Sequence, residues 1–136
     1  MKYLRSILSV LSAPVIYGML CVPAVEFLYG RFPQHVNESG GTSHVPLLLG
    51  TELLQLLFLF VCGYVTALLA PGNIRTHAWV ATVLMLGIGI SVQLSFWDAA
   101  PVWHHFVFFA CIVIGMIAGA NLRQRQLAGT GASNRA

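Results

Sequence analysis

Charged residues are scarce in this chain of 136 residues, and that scarcity decides its class. Four acidic and seven basic residues make up 8% of the chain, whereas a soluble domain carries about a quarter. So few charges cannot cover the surface of a water-soluble domain of this size. They also exclude a disordered chain, which needs low hydrophobicity and high charge. The composition therefore predicts an integral membrane protein.

Motifs for catalysis and for redox chemistry are missing as well. The chain has no phosphate-binding loop, nucleophile elbow, dinucleotide fingerprint or EF-hand loop. Its three cysteines are widely spaced within apolar runs and form no Cys-x-x-Cys pair, so we interpret them as small buried side chains: Cys21, Cys62 and Cys111. The basic residues stand at the ends of apolar runs, which argues against a nucleic-acid partner. We therefore favour a protein without catalysis of its own.

Four apolar runs are long enough to cross a bilayer as helices: 7–29, 45–70, 78–97 and 101–122. Each reaches the ~20 residues that a helical span requires. None alternates as the strand of a membrane barrel does. We predict an all-α integral membrane fold, with one four-helix domain over residues 1–127 and a disordered cytoplasmic tail over residues 128–136.

The distribution of basic residues predicts the orientation of these spans. If all four cross, six basic residues lie on one side of the bilayer: Lys2, Arg5, Arg75, Arg123, Arg125 and Arg135. Only Arg31 lies on the other side. The positive-inside rule then predicts two antiparallel hairpins with both termini in the cytoplasm. One alternative stays open, because the first run also resembles a signal peptide whose cleavage would leave three spans.

Polar and small residues recur on one face of the second run, at spacings of three and four: Glu52, Gln55, Leu59, Cys62, Gly63 and Thr66. This face is expected to point into the bundle, opposite a face of Leu and Phe. Glycines on the runs are expected to allow close helix packing: Gly63, Gly87, Gly89, Gly115 and Gly119. The last two form a GxxxG motif, for which internal packing is the first interpretation and a homodimer seam the second.

Two carboxylates in the apolar runs are the best candidates for an ion or proton site. At 1.5 Å per residue, Glu52 lies ~10 Å and Glu26 ~5 Å inside the outer boundary. An ionisable group at that depth is costly and is a functional hypothesis by default. The pair could share a proton or bind a cation, with Gln55 and Gln93 nearby. The alternative is a structural hydrogen-bonded pair.

Histidines also gather on the outer side, and they suggest a weaker hypothesis of a metal or haem site: His35, His44, His104 and His105. His104 and His105 diverge by ~100° on a helix, so they cannot both bind one ion directly. The alternative is a polar and aromatic belt at the membrane interface, shared with Trp103. We therefore expect no cofactor and keep metal or haem as the alternative.

Short motifs between Glu52 and Arg123 resemble those of a loose group of small four-helix bacterial inner-membrane proteins. The motifs are GYVTALLAP at 63–71, His-Ala at 77–78, Leu-Gly at 86–87, PVWH at 101–104 and GANLR at 119–123. The resemblance implies a multi-pass protein of the bacterial inner membrane, and it carries no activity.

Three functions are therefore expectations at this point. The first is an accessory or scaffold role in the lipid bilayer, beside a membrane-protein partner or a second copy. The second is a proton- or cation-coupled small transporter that works as an oligomer through Glu52 and Glu26. The third is a metal or haem protein that uses the outer histidines.

Overall fold

The computed structural model describes residues 2–133, with side chains described for residues 2–129. Four helices account for most of that part: α1 (Lys2–Arg31), α2 (Val45–Leu69), α3 (Ile74–Ser95) and α4 (Val102–Ser133). Two single-turn 3₁₀ helices lie in the connections, at Pro33–His35 and Trp97–Ala99. The described residues contain no strand. All four long helices are long and apolar enough to cross a membrane, which confirms the all-α prediction.

The helix ends differ from the predicted spans for local reasons. α1 continues through Pro14 and Pro23 to Arg31. α3 begins at Ile74, because the side chain of Asn73 caps the helix by accepting a hydrogen bond from the backbone N–H of Thr76. α4 continues to Ser133, so residues 128–133 are helical where a disordered tail was predicted. Residues 134–136 of that predicted tail lie outside the described residues.

The tightest packing joins α2 to α4, which are not neighbours along the chain. A Cβ atom on Gly63 would overlap the backbone of Met116, and one on Gly119 would overlap the backbone of Phe60. A Cβ on Gly115 would lie 2.7 Å from the Cβ of Leu59, closer than real side chains approach. These contacts require glycine, because any side chain would push the two backbones apart. We call the contact between α2 and α4 along their shared length, which includes these glycine positions, the α2–α4 seam.

Most of the glycines that were expected to allow close helix packing do pack against another helix of this chain. Gly115 and Gly119 face α2, so the GxxxG motif packs internally in this structure. Gly89 faces α4, where an added Cβ would lie 2.8 Å from Ile112 Cδ1. Gly87 corrects the prediction, since nothing lies within 4 Å of its Cβ position and it is exposed. Two residues along a helix turn the direction by ~200°, so Gly87 and Gly89 cannot both face α4.

The connection between α1 and α2 folds onto the 3₁₀ turn Trp97–Ala99. The side-chain amide of Asn37 donates to the Ala99 carbonyl at 3.4 Å, and Gly41 packs so closely on Ala99 that a Cβ there would overlap it. Gly40 closes the turn with a φ of 78°, which favours glycine. This loop therefore covers the end of the bundle that carries most of the titratable side chains.

Candidate functional site

A carboxylate and an imidazole meet at the loop-covered end of the α2–α4 seam. Glu52 Oε1 lies 2.7 Å from His104 Nδ1, and both side chains are more than nine-tenths buried. This is the one ion pair in the described part of the chain. The two atoms lie within hydrogen-bond distance, but neither makes a hydrogen bond of good geometry.

The chemistry of this pair follows from its burial. The two groups are neutral overall whether the proton sits on the carboxyl group or on the imidazole. In the first case the acid donates to Nδ1, and in the second the imidazolium faces the carboxylate. A lone buried charge on either group would be costly, so each member of the pair needs the other beside it. The pair can therefore serve as a structural tie or as a place where a proton is held.

The neighbouring His105 is fully buried and makes different contacts. Its Nδ1 lies 2.7 Å from Gln93 Oε1 and its Nε2 lies 3.1 Å from the Trp97 carbonyl oxygen. That carbonyl can only accept, so Nε2 carries the hydrogen and donates it. A neutral ring then requires the amide N–H of Gln93 to point at Nδ1, which the near-equivalence of amide O and N allows. The indole of Trp97 also stacks on His105, with ring centroids 4.4 Å apart.

The remaining outer histidines form a pair of their own in the loop. The rings of His35 and His44 stack at 3.8 Å between centroids, nearly parallel. Thr42 links them, since its hydroxyl donates to the His35 carbonyl at 2.6 Å and accepts from the His44 N–H at 3.0 Å. The four predicted histidines therefore occupy three separate settings. Among the described residues, no three His, Cys, Asp or Glu side chains come together as a metal site would require.

Glu26 does not pair with Glu52, which corrects the expectation of a shared proton. Glu52 faces α4, whereas Glu26 is exposed and lines a groove between α1 and α3. Gln55 and Gln93 line the same groove. The depth of each carboxylate was predictable from the helical rise, but the direction in which each one points was not. Two sites therefore replace the single predicted one.

Tyr17 is a site residue that the sequence interpretation missed. Its hydroxyl donates to Gln55 Oε1 at 3.2 Å and joins α1 to α2 at the floor of the groove. Cys21 lies one turn further along α1 and lines the same groove. A signal was present, because Tyr17 and Cys21 are four residues apart and share a helical face.

Comparisons with protein-family models, with curated proteins and with solved structures find no match to this chain.

Proposed function

We propose that this chain is a multi-pass protein of the bacterial inner membrane that acts as an accessory or scaffold subunit without catalysis of its own. One observation carries the proposal: the buried Glu52–His104 pair lies inside the α2–α4 seam. Its neighbour His105 is likewise occupied, by Gln93 and Trp97. Buried polar groups that face one another across a helix contact in this way hold helices together rather than bind a substrate.

The proposal includes an orientation, with two antiparallel hairpins and both termini in the cytoplasm. The unequal distribution of basic residues supports it. The contacts between helix ends support only the antiparallel hairpins: the hydroxyl of Ser9, early in α1, donates to the carbonyl of Thr66, late in α2, at 2.7 Å. Gln93, late in α3, contacts His105, early in α4.

Cysteine labelling tests this orientation. Ser39→Cys in the outer loop should react with a membrane-impermeant maleimide added to intact spheroplasts, and Ser133→Cys should react only after lysis. The native cysteines, which are all buried, supply the unlabelled background. Labelling of Ser133→Cys from outside would overturn the orientation.

A scaffold needs a surface for its partner, and α1 is the least buried of the four long helices. Only 17% of the most apolar stretch of α1 is buried, compared with 44% for α4. Val15 and Met19 lie on that open face, with 58% and 73% of their surface exposed. We place the membrane-protein partner, or a second copy of this chain, against this face.

Site-specific photocrosslinking tests the scaffold role. A photoreactive residue at Met19 should capture a protein in native membranes, whereas the same residue at Ile114 on α4 should capture lipid. Ile114 is a matched control because it is 60% exposed on an apolar helix. Lipid adducts alone at both positions would overturn the scaffold proposal.

A proton- or cation-coupled small transporter, working as an oligomer, is the second candidate. Glu52 favours it, because its Oε2 atom is buried without a hydrogen-bond partner among the described residues. Such an atom could take up a proton during a transport cycle. Flux into proteoliposomes tests this candidate: Glu52→Gln should fold normally and lose flux, and a fully active variant would exclude Glu52 as the coupling group.

A further inference from the structure

A groove of about 540 Å³ separates α1 from α3. That volume lies within the range of ~300–1,000 Å³ that is typical of small-molecule sites. Its walls are mainly apolar, with Val22 and Val25 on α1 facing Ile88 and Val92 on α3. Gly18 adds to the space, because nothing lies within 4 Å of where its Cβ would be. The groove therefore suits an apolar body of drug-like size.

Polar atoms stand at one end of this groove. Gln55 is 7% exposed, and its amide oxygen accepts from Tyr17 at 3.2 Å. The amide nitrogen of Gln55 has no hydrogen-bond partner among the described residues, and the side chain lines the groove. A nine-tenths buried amide with a free polar atom needs a partner from outside the chain, which a ligand or a water molecule supplies.

Glu26 supplies the charge at the opposite end of the groove, nine residues and ~13 Å along α1 from Tyr17. It is exposed, lines the groove, and makes no ion pair or hydrogen bond within the described part of the chain. Glu26 lies three residues before Tyr29 on α1, which is about 5 Å along the helix axis. A carboxylate beside apolar walls is stabilised by a cation much more than one in open water, because the local dielectric is low.

We infer that this groove is a binding site for lipophilic organic cations. The cationic centre lies beside Glu26, the apolar groups pack between α1 and α3, and a polar substituent reaches the free amide atom of Gln55. A phospholipid fits less well, because its phosphate would lie against Glu26. A neutral amphiphile would leave Glu26 without a counter-charge.

Two probes of one shape and opposite charge test this inference: tetraphenylphosphonium and tetraphenylborate. Equilibrium dialysis of the purified full chain in neutral detergent, against protein-free micelles, measures saturable binding. Tetraphenylphosphonium should bind at one site per chain, and tetraphenylborate should show no saturable binding. Glu26→Gln should weaken the binding of the cation about tenfold, the usual effect of losing one charged partner.

A pair of glycine variants tests the position of the site. Gly18→Phe should abolish binding by filling the groove, because its Cβ has room and the ring extends into the cavity. Gly87→Phe is the matched control, since its Cβ position is equally open but lies outside the groove. Size-exclusion profiles show whether each variant is folded. If neither variant folds, the comparison of the two probes on the native chain still tests the inference.

Several results would overturn the inference. One is equal binding of the two probes, and another is binding that Gly18→Phe leaves unchanged. A third is native mass spectrometry that finds a phospholipid retained by the native chain and lost from Gly18→Phe, together with no saturable binding of the cation.

Discussion

The α2–α4 seam and the α1–α3 groove use glycine in opposite ways. In the seam, Gly63 and Gly119 bring two backbones into contact, and a Cβ atom has no room. In the groove, Gly18 faces empty space. Lipid provides little hydrophobic force between helices, so close van der Waals contact has to hold them together. The contrast shows that close packing in the seam holds the bundle together, whereas the groove is an unfilled space between α1 and α3.

The largest expected effect is from Gly63→Leu in the seam. The side chain would displace the backbone of Met116, so we expect a loss of stability of about 3 kcal/mol or more, the upper end for over-packing. Unfolding in SDS titrations measures it, together with the yield of monodisperse protein. Leu57→Phe is the control, because Leu57 is 56% exposed on the opposite face of α2. Equal tolerance of both changes would show that the packing face is wrongly assigned.

The second effect concerns the ion pair within the seam. Glu52→Leu leaves His104 buried without its partner, at an expected cost of about 1–3 kcal/mol, whereas Glu52→Gln should cost less than half as much. A double-mutant cycle with His104→Gln measures the coupling directly. Normal stability of the Leu variant would remove the structural role that we assign to the pair.

Ser9→Ala is the third change, and it tests how α1 is attached. The Ser9 hydroxyl is fully buried and donates to the Thr66 carbonyl on α2, so we expect a loss of about 1 kcal/mol. Ser91→Ala is the matched control, because the exposed Ser91 hydroxyl donates to Gly87 within its own helix. If both variants lose the same stability, the bond between α1 and α2 contributes nothing specific.

The smallest effect on stability is expected from Gly18→Leu in the groove. The side chain enters open space, and leucine is a better helix former than glycine, so stability should change by less than about 1 kcal/mol or should increase. The same SDS titration measures the change. A loss as large as that of Gly63→Leu would mean that the groove is closed in the folded protein.

Hydropathy and periodicity were enough to predict the four helices and the buried face of α2. The run at 45–70 became α2 at Val45–Leu69, and Glu52, Gln55 and Thr66 are all buried there. This prediction depends only on properties of one helix at a time: length, apolar content and the period of polar residues. The end of α4 was not predicted because its last turns are polar, and hydropathy indicates only the apolar part of a helix.

The partners of the polar residues could not be predicted in the same way. Helical rise gives the depth of Glu52, but its partner depends on how α4 is rotated and on which helices touch. His104 and His105 are adjacent in sequence, yet one faces Glu52 and the other faces Gln93. The first pairing depends on the α2–α4 seam, which joins helices separated by all of α3, and the second depends on how α4 packs against α3.

The α2–α4 seam also determines when the protein can finish folding during its synthesis. Glu52 and His104 are 52 residues apart, so at roughly 5–20 residues per second about 3–10 s pass between them on the ribosome. Throughout that interval, α2 has neither the partner of its Glu52 carboxyl group nor the helix that packs against Gly63. A chain that stalls after α3 should therefore stay sensitive to an added protease, whereas the chain becomes resistant once α4 has docked.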